Sequence, residues 1–218
     1  ALGQEGGPVC WEAAVNSPAA PLFSVRGLTK HFDGIKAVDS LSFDVAEGSI
    51  TGIIGPNGAG KTTVFNIVTG LYRPTAGSVL FRGESITGLR PDRVVRRGIA
   101  RTFQNIRLFN RRSCLDNVMT PLFQRERCSF LGSLLGTPST RRMERELRER
   151  AVGLLQVLGL ERFASTQADN LPYGFQRKLE IARALATEPS LLLLDEPAAG
   201  MNPEETRSLA DLIAEVRE

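Results

Sequence analysis

From Leu22 onward, apolar and polar positions follow two periods in turn. The segments "LFSVRGL" and "LSFDVA" place apolar residues at alternate positions, with Leu41, Phe43 and Val45 set against polar neighbours. That is the pattern of half-buried strands. "SITGIIG" predicts a short apolar strand that runs directly into a glycine-rich turn, and "SVLFRG" predicts another strand. From Pro138 the period lengthens: Met143, Leu147, Ala151, Leu154, Leu155 and Leu158 share one helical face, with Arg and Glu opposite. A further helix starting around Gln176 buries Leu179, Ile181, Ala182 and Leu185. "LLLLD" predicts a fully buried strand. The last helix opens with Asn202 as N-cap, Pro203 at N1 and Glu205 at N3, a capping-box arrangement, and buries Leu209, Leu212, Ile213 and Val216. Strands alternating with helices predict an α/β fold with a largely parallel sheet. Residues 1–21 are rich in Gly, Ala and Pro and lack periodicity, so they read as a mobile tail.

Composition narrows the field without naming a function. A chain of 218 residues that is 42% hydrophobic makes one large domain or two small ones. The net charge of +3 is too small to imply nucleic acid as a partner. Cys10, Cys114 and Cys128 form no CxxC pair, and with the lone His31 they give no metal-site spacing, which fits a reducing cytosol. The N-terminus lacks the charged start of a signal peptide, its first basic residue being Arg26. The longest apolar run, Leu191 to Leu194, is far short of a membrane span, so a membrane role would come through a partner. A basic run holds Arg90, Arg93, Arg96, Arg97, Arg101 and Arg107. It reads as solvated surface or, more sharply, as a face near a membrane protein or anionic headgroups.

The chemistry sits in "GPNGAGKTT". Gly55, Pro56, Asn57, Gly58, Ala59, Gly60, Lys61, Thr62 and Thr63 fit G-x-x-x-x-G-K-[ST], between a predicted strand and a predicted helix. Triphosphate oxygens need short, fixed donors. Glycines let backbone N–H groups turn inward, and the helix N-terminus adds partial positive charge. Lys61 can neutralise the β- and γ-phosphates of ATP, and the Thr62 hydroxyl can complete a Mg²⁺ sphere. At the exit of "LLLLDEP", Asp195 can hold Mg²⁺ while Glu196 polarises the attacking water.

With these parts in order, the sequence from about Leu22 to Glu218 resembles the ATP-binding cassette (ABC) ATPases. The resemblance implies a P-loop core with an N-terminal antiparallel β part and an inserted helical subdomain at about 109–171. In "TFQNIRLF", Gln104 matches the Q-loop glutamine, which contacts Mg²⁺ and reports nucleotide state. Phe32 matches the aromatic residue that stacks on adenine. Leu171, Pro172, Tyr173, Gly174, Phe175 and Gln176 match the signature motif. Within the family, "QNIRLF", "LGTPSTRRMER", "YGFQRKLEIARALAT" and "DEPAAGMNPEET" are similar to the ATPase subunits of bacterial branched-chain amino acid importers. Urea importers and lipopolysaccharide exporters share much of this dialect. The implied partners are membrane permease subunits, a second ABC ATPase in a homo- or heterodimer, and indirectly a periplasmic solute-binding protein. The implied location is peripheral, on the cytoplasmic face of the bacterial inner membrane.

Two departures from the family stand out. Pro172 has neither hydroxyl nor backbone N–H, and Phe175 replaces an amide, which predicts a weakened γ-phosphate contact from the signature. The family's further strand and switch histidine have no match here, since the sequence ends at Glu218 and its histidine is His31. That predicts a core lacking its C-terminal end. The competing reading is a truncated or degenerate cassette that binds nucleotide or permease without turnover. A non-transport ABC ATPase acting on ribosomes or DNA would show duplicated cassettes or long coiled-coil insertions, and neither is present.

Overall fold

The computed structural model describes residues 9–10, 20–125 and 137–217. Most of the expected tail (residues 1–8 and 11–19), the whole of 126–136 with Cys128, and the side chain of Cys10 lie outside the described residues. The chain divides into two compact units, the first taking in the described residues up to Arg97 together with Arg217, and the second running from Gly98 to Val216.

In the first unit, β1 (Val9–Cys10) pairs antiparallel with β4 (Ile53–Ile54). A four-stranded antiparallel sheet has the order β3-β2-β5-β6, from β2 (Phe23–Phe32), β3 (Ile35–Val45), β5 (Ala76–Phe81) and β6 (Glu84–Ser85). Alternation decides its faces: Phe23, Val25, Leu28, Leu41, Val45, Val79 and Phe81 are buried. This is the antiparallel part expected at the N-terminal end. The strand predicted from "SITGIIG" is shorter than its apolar run, only Ile53–Ile54, and Ile54 is 63% exposed. Helix α1 (Lys61–Val68) follows it and buries Val64, Ile67 and Val68; α2 (Pro91–Arg96) buries Val94.

In the second unit, β7 (Ile99–Arg101) and β8 (Leu191–Leu193) pair in parallel, Ile99 opposite Leu191 and Arg101 opposite Leu193. This is the only parallel pairing among the described residues. The leucines of β8 are half-buried rather than fully buried as expected, because among the described residues the strand has one neighbour, β7. Helices α3 (Cys114–Arg125), α4 (Pro138–Val157), α5 (Tyr173–Leu185) and α6 (Pro203–Arg217) surround a single apolar cluster. Its members include Val118 and Leu122 of α3, Leu147, Ala151 and Leu155 of α4, Leu179, Ile181 and Ala182 of α5, and Leu209 and Leu212 of α6.

Two helix starts explain themselves locally. At α6 the Glu205 N–H donates to Asn202 Oδ1 (2.9 Å) and the Asn202 N–H donates to Glu205 Oε2 (3.0 Å), a closed reciprocal cap. Helix α5 begins three residues earlier than the apolar pattern suggested, at Tyr173, because Pro172 in extended conformation serves as its N-cap. A residue in that place needs no N–H of its own.

Candidate functional site

The loop before α1 is shaped by glycine. Gly60 sits at φ 86° as the helix N-cap, and a Cβ on it would lie 2.1 Å from the Ala37 carbonyl oxygen of β3. Only a residue without a side chain fits. No side chain caps α1, and no acidic residue occupies its first turn. The N–H groups at the helix start are thus left for an anion. Lys61 folds back across the loop, its Nζ donating to the carbonyls of Gly55 (2.7 Å) and Pro56 (3.0 Å). An ammonium carries three donors, so one remains for a phosphate oxygen. The Ala59 N–H closes a turn on the Pro56 carbonyl (3.1 Å), and Pro56, Asn57, Gly58 and Thr62 are exposed. Thr63 is half-buried. Also in this unit, Phe32 is 38% exposed, with the Tyr72 ring edge-on at 5.3 Å and Lys30 Nζ 4.8 Å from its ring centre.

The second unit brings together Gln104 and the acidic pair. The Gln104 Nε2 donates to Glu196 Oε2 at 2.9 Å. Asp195 lies beside it in a buried ion pair: Arg101 Nη2 reaches Asp195 Oδ2 at 2.7 Å, and both side chains are 4% exposed. The parallel register explains the meeting, since Arg101 ends β7 and Asp195 lies just beyond β8. Glu196 takes φ 48°, a left-handed conformation that costs energy for a side-chain-bearing residue. It points its carboxylate away from Asp195's burial; Glu196 is exposed and Asp195 is not.

The segment from Leu171 to Gln176, expected to be the signature, packs into the same unit. Leu171 and Gly174 are buried, and the Gln176 Nε2 donates to the Leu171 carbonyl (2.8 Å). Phe175 packs against Phe163, ring centres 4.9 Å apart, with the Arg162 guanidinium and Lys178 ammonium near its face. It is part of the apolar packing.

The model of the ABC transporter family matches residues 38–199. This chain belongs to the ABC transporter family. Over 197 residues it is 47% identical to the high-affinity branched-chain amino acid transport ATP-binding protein LivG of Escherichia coli (strain K12), covering 90% of this chain and 77% of that one. The same identity and shares hold for BraF of Pseudomonas aeruginosa, named as a protein of the same kind. Among solved structures, MJ1267, an ATP-binding cassette of an ABC transporter, superposes with a TM-score of 0.78 at 32% identity, covering 91% of this chain and 78% of that one.

Within this ABC cassette, the second unit buries three charged residues that the sequence pattern does not single out. Arg101 belongs to the basic run that reads as surface, yet its side chain is buried against Asp195. Arg177 and Glu180 are buried too, in an ion pair at 3.5 Å. The one available signal was their position: both fall among the apolar residues of α5. Oxygens of the kind that Mg²⁺ prefers are carried by Thr62 in the first unit and, separately, by Gln104 and Asp195 in the second. The Gln104 amide nitrogen is engaged by Glu196, and Asp195 Oδ2 by Arg101. Among the described residues no cluster of three or more His, Cys, Asp or Glu could hold a metal by itself.

Proposed function

We propose that this chain is the ATP-binding, ATP-hydrolysing subunit that energises an importer of branched-chain amino acids. The likeness to LivG and BraF over 90% of the chain carries this reading. Among the described residues no helix is long and apolar enough to cross a membrane. The subunit would act peripherally at the cytoplasmic face of the inner membrane, bound to permease subunits and a second ATPase subunit, with a periplasmic solute-binding protein as a distant partner.

The mechanism follows from the residues. The loop from Gly55 to Thr63 supplies N–H donors and the Lys61 ammonium to the phosphates of ATP, and Phe32 offers its half-exposed ring to the base. Mg²⁺ would supply charge neutralisation at the β- and γ-phosphates; Thr62 in the first unit, and Gln104 and Asp195 in the second, are the residues that would hold it. Glu196 accepts the proton of the attacking water. Gln104 already donates to Oε2, so Oε1 is the less engaged oxygen offered to that proton. In the assembled transporter, Lys61→Ala should abolish both ATP hydrolysis and leucine uptake. Undiminished leucine uptake by that variant would overturn the proposal, and uptake of urea in place of leucine would move the chain to a related importer.

A second reading concerns the signature. Pro172 makes no side-chain cap and Phe175 is packed on Phe163, so neither side chain can donate to a phosphate on a facing cassette. In a pair of different cassettes, the site completed by this signature would be the weaker one. Pro172→Ser in the assembled transporter should then raise ATP turnover; unchanged turnover counts against it.

A further inference from the structure

The signature helix and the Q-loop are joined through one tyrosine and one arginine. The Arg177 guanidinium, in a side chain only 4% exposed, donates from Nη1 to the Phe103 carbonyl (2.9 Å) and from Nη2 to the Gln104 carbonyl. Its Nε and Nη2 also donate to the Tyr173 hydroxyl, at 3.1 and 2.8 Å. That hydroxyl in turn donates to the Ala199 carbonyl (3.1 Å), three residues beyond Glu196. On the other side of the same backbone, the Phe103 N–H donates to Glu180 Oε1 (3.3 Å). Both backbone faces of the Q-loop at Phe103 are therefore gripped by α5, and the segment after Glu196 is tied to the same hydroxyl.

We propose that Tyr173 and Arg177 are a positioning pair, fixing Gln104 and Glu196 relative to each other. The proposal rests on the reading that Gln104 and Glu196 serve ATP hydrolysis. The chemistry of the two residues favours it. A phenol oxygen can accept twice and donate once, and here all three capacities are in use. A guanidinium fork can serve three acceptors in one plane, which an ammonium on a flexible stem cannot. Tyr173 is 44% exposed, so the hydroxyl contributes little to filling the core. Its removal leaves packing in place and releases two tethers, one to the Q-loop through Arg177 and one to Ala199. A reacting group that loses its fixed position loses rate far more readily than it loses substrate affinity.

The test is a mutant cycle in the assembled transporter. Tyr173→Phe should lower kcat for ATP by about tenfold with KM unchanged within about twofold. In a Gln104→Ala background the same substitution should cost less than about twofold, because the group it positions is gone. Arg177→Lys should reproduce the Tyr173→Phe phenotype, and it serves in its place if the tyrosine variant does not fold. An equal loss in both backgrounds, a loss confined to KM, or full activity of Arg177→Lys would each overturn the pair's role. Glu196→Gln is scored alongside: if it leaves turnover intact, the hydrolysis reading falls and takes the pair with it. If Glu196→Gln is inactive while the cycle is additive, only the positioning pair falls.

Discussion

Gln104 and Glu196 stand 92 positions apart in sequence and share a hydrogen bond of 2.9 Å. The bond ties Glu196 Oε2 to the Gln104 amide. Replacing Glu196 with Gln should keep the shape of that contact while removing the proposed base. Turnover should fall by about 10²- to 10⁴-fold with ATP affinity retained, as read by single-turnover phosphate release beside equilibrium nucleotide binding.

Gly60 and Gly58 offer a paired comparison. Both have positive φ, 86° and 85°, but a Cβ at 60 meets the Ala37 carbonyl at 2.1 Å while one at 58 meets nothing within 4 Å. Gly58→Ala should cost about 1 kcal/mol of conformational strain. Gly60→Ala should cost about 2 kcal/mol or more, since β3 must also give way. Urea unfolding of both variants checks the order, and equal losses would mean that backbone conformation alone matters.

Burial pushes the Glu180 carboxyl above its ordinary value of 4.5, against the opposing influence of the Phe103 N–H and the charges of Arg177 and Arg183. A raised folded value means that the native state holds this proton more tightly than the unfolded chain does. The resulting stabilisation is complete below 4.5 and is lost as pH climbs through the raised value. Glu180→Gln should flatten that part of the stability profile, as measured by urea unfolding between acid and neutral pH. An unchanged slope would place the titrating group elsewhere.

Cys114 is fully buried in the apolar cluster, and burial lifts its thiol to about 11. In a Cys10→Ser, Cys128→Ser background it should resist a disulfide reagent at neutral pH and react promptly in denaturant. Fast native labelling would show that the start of α3 opens readily.

The parts that could be read from sequence were the local ones. Asn202, Pro203 and Glu205 lie within one turn, and their reciprocal cap is a matter of nearest neighbours. The Gly60 loop announced itself by spacing. What stayed hidden needed a register between distant segments. Arg101 meets Asp195 only because β7 and β8 run parallel with Arg101 opposite Leu193, and nothing in a basic run signals that one member turns inward. Phe175 looked like a lost donor, whereas its ring fills space beside Phe163. The half-buried state of Leu191 to Leu193 depends on what lies beside the strand, which four consecutive leucines cannot disclose.

Glu196 adopts a left-handed backbone at φ 48°, a shape that glycine or asparagine tolerates better than glutamate. Durability and work therefore pull against each other at this position. A library of this chain sorted only for survival on heating would drift toward Gly or Asn at 196, and its winners would be sturdier and idle.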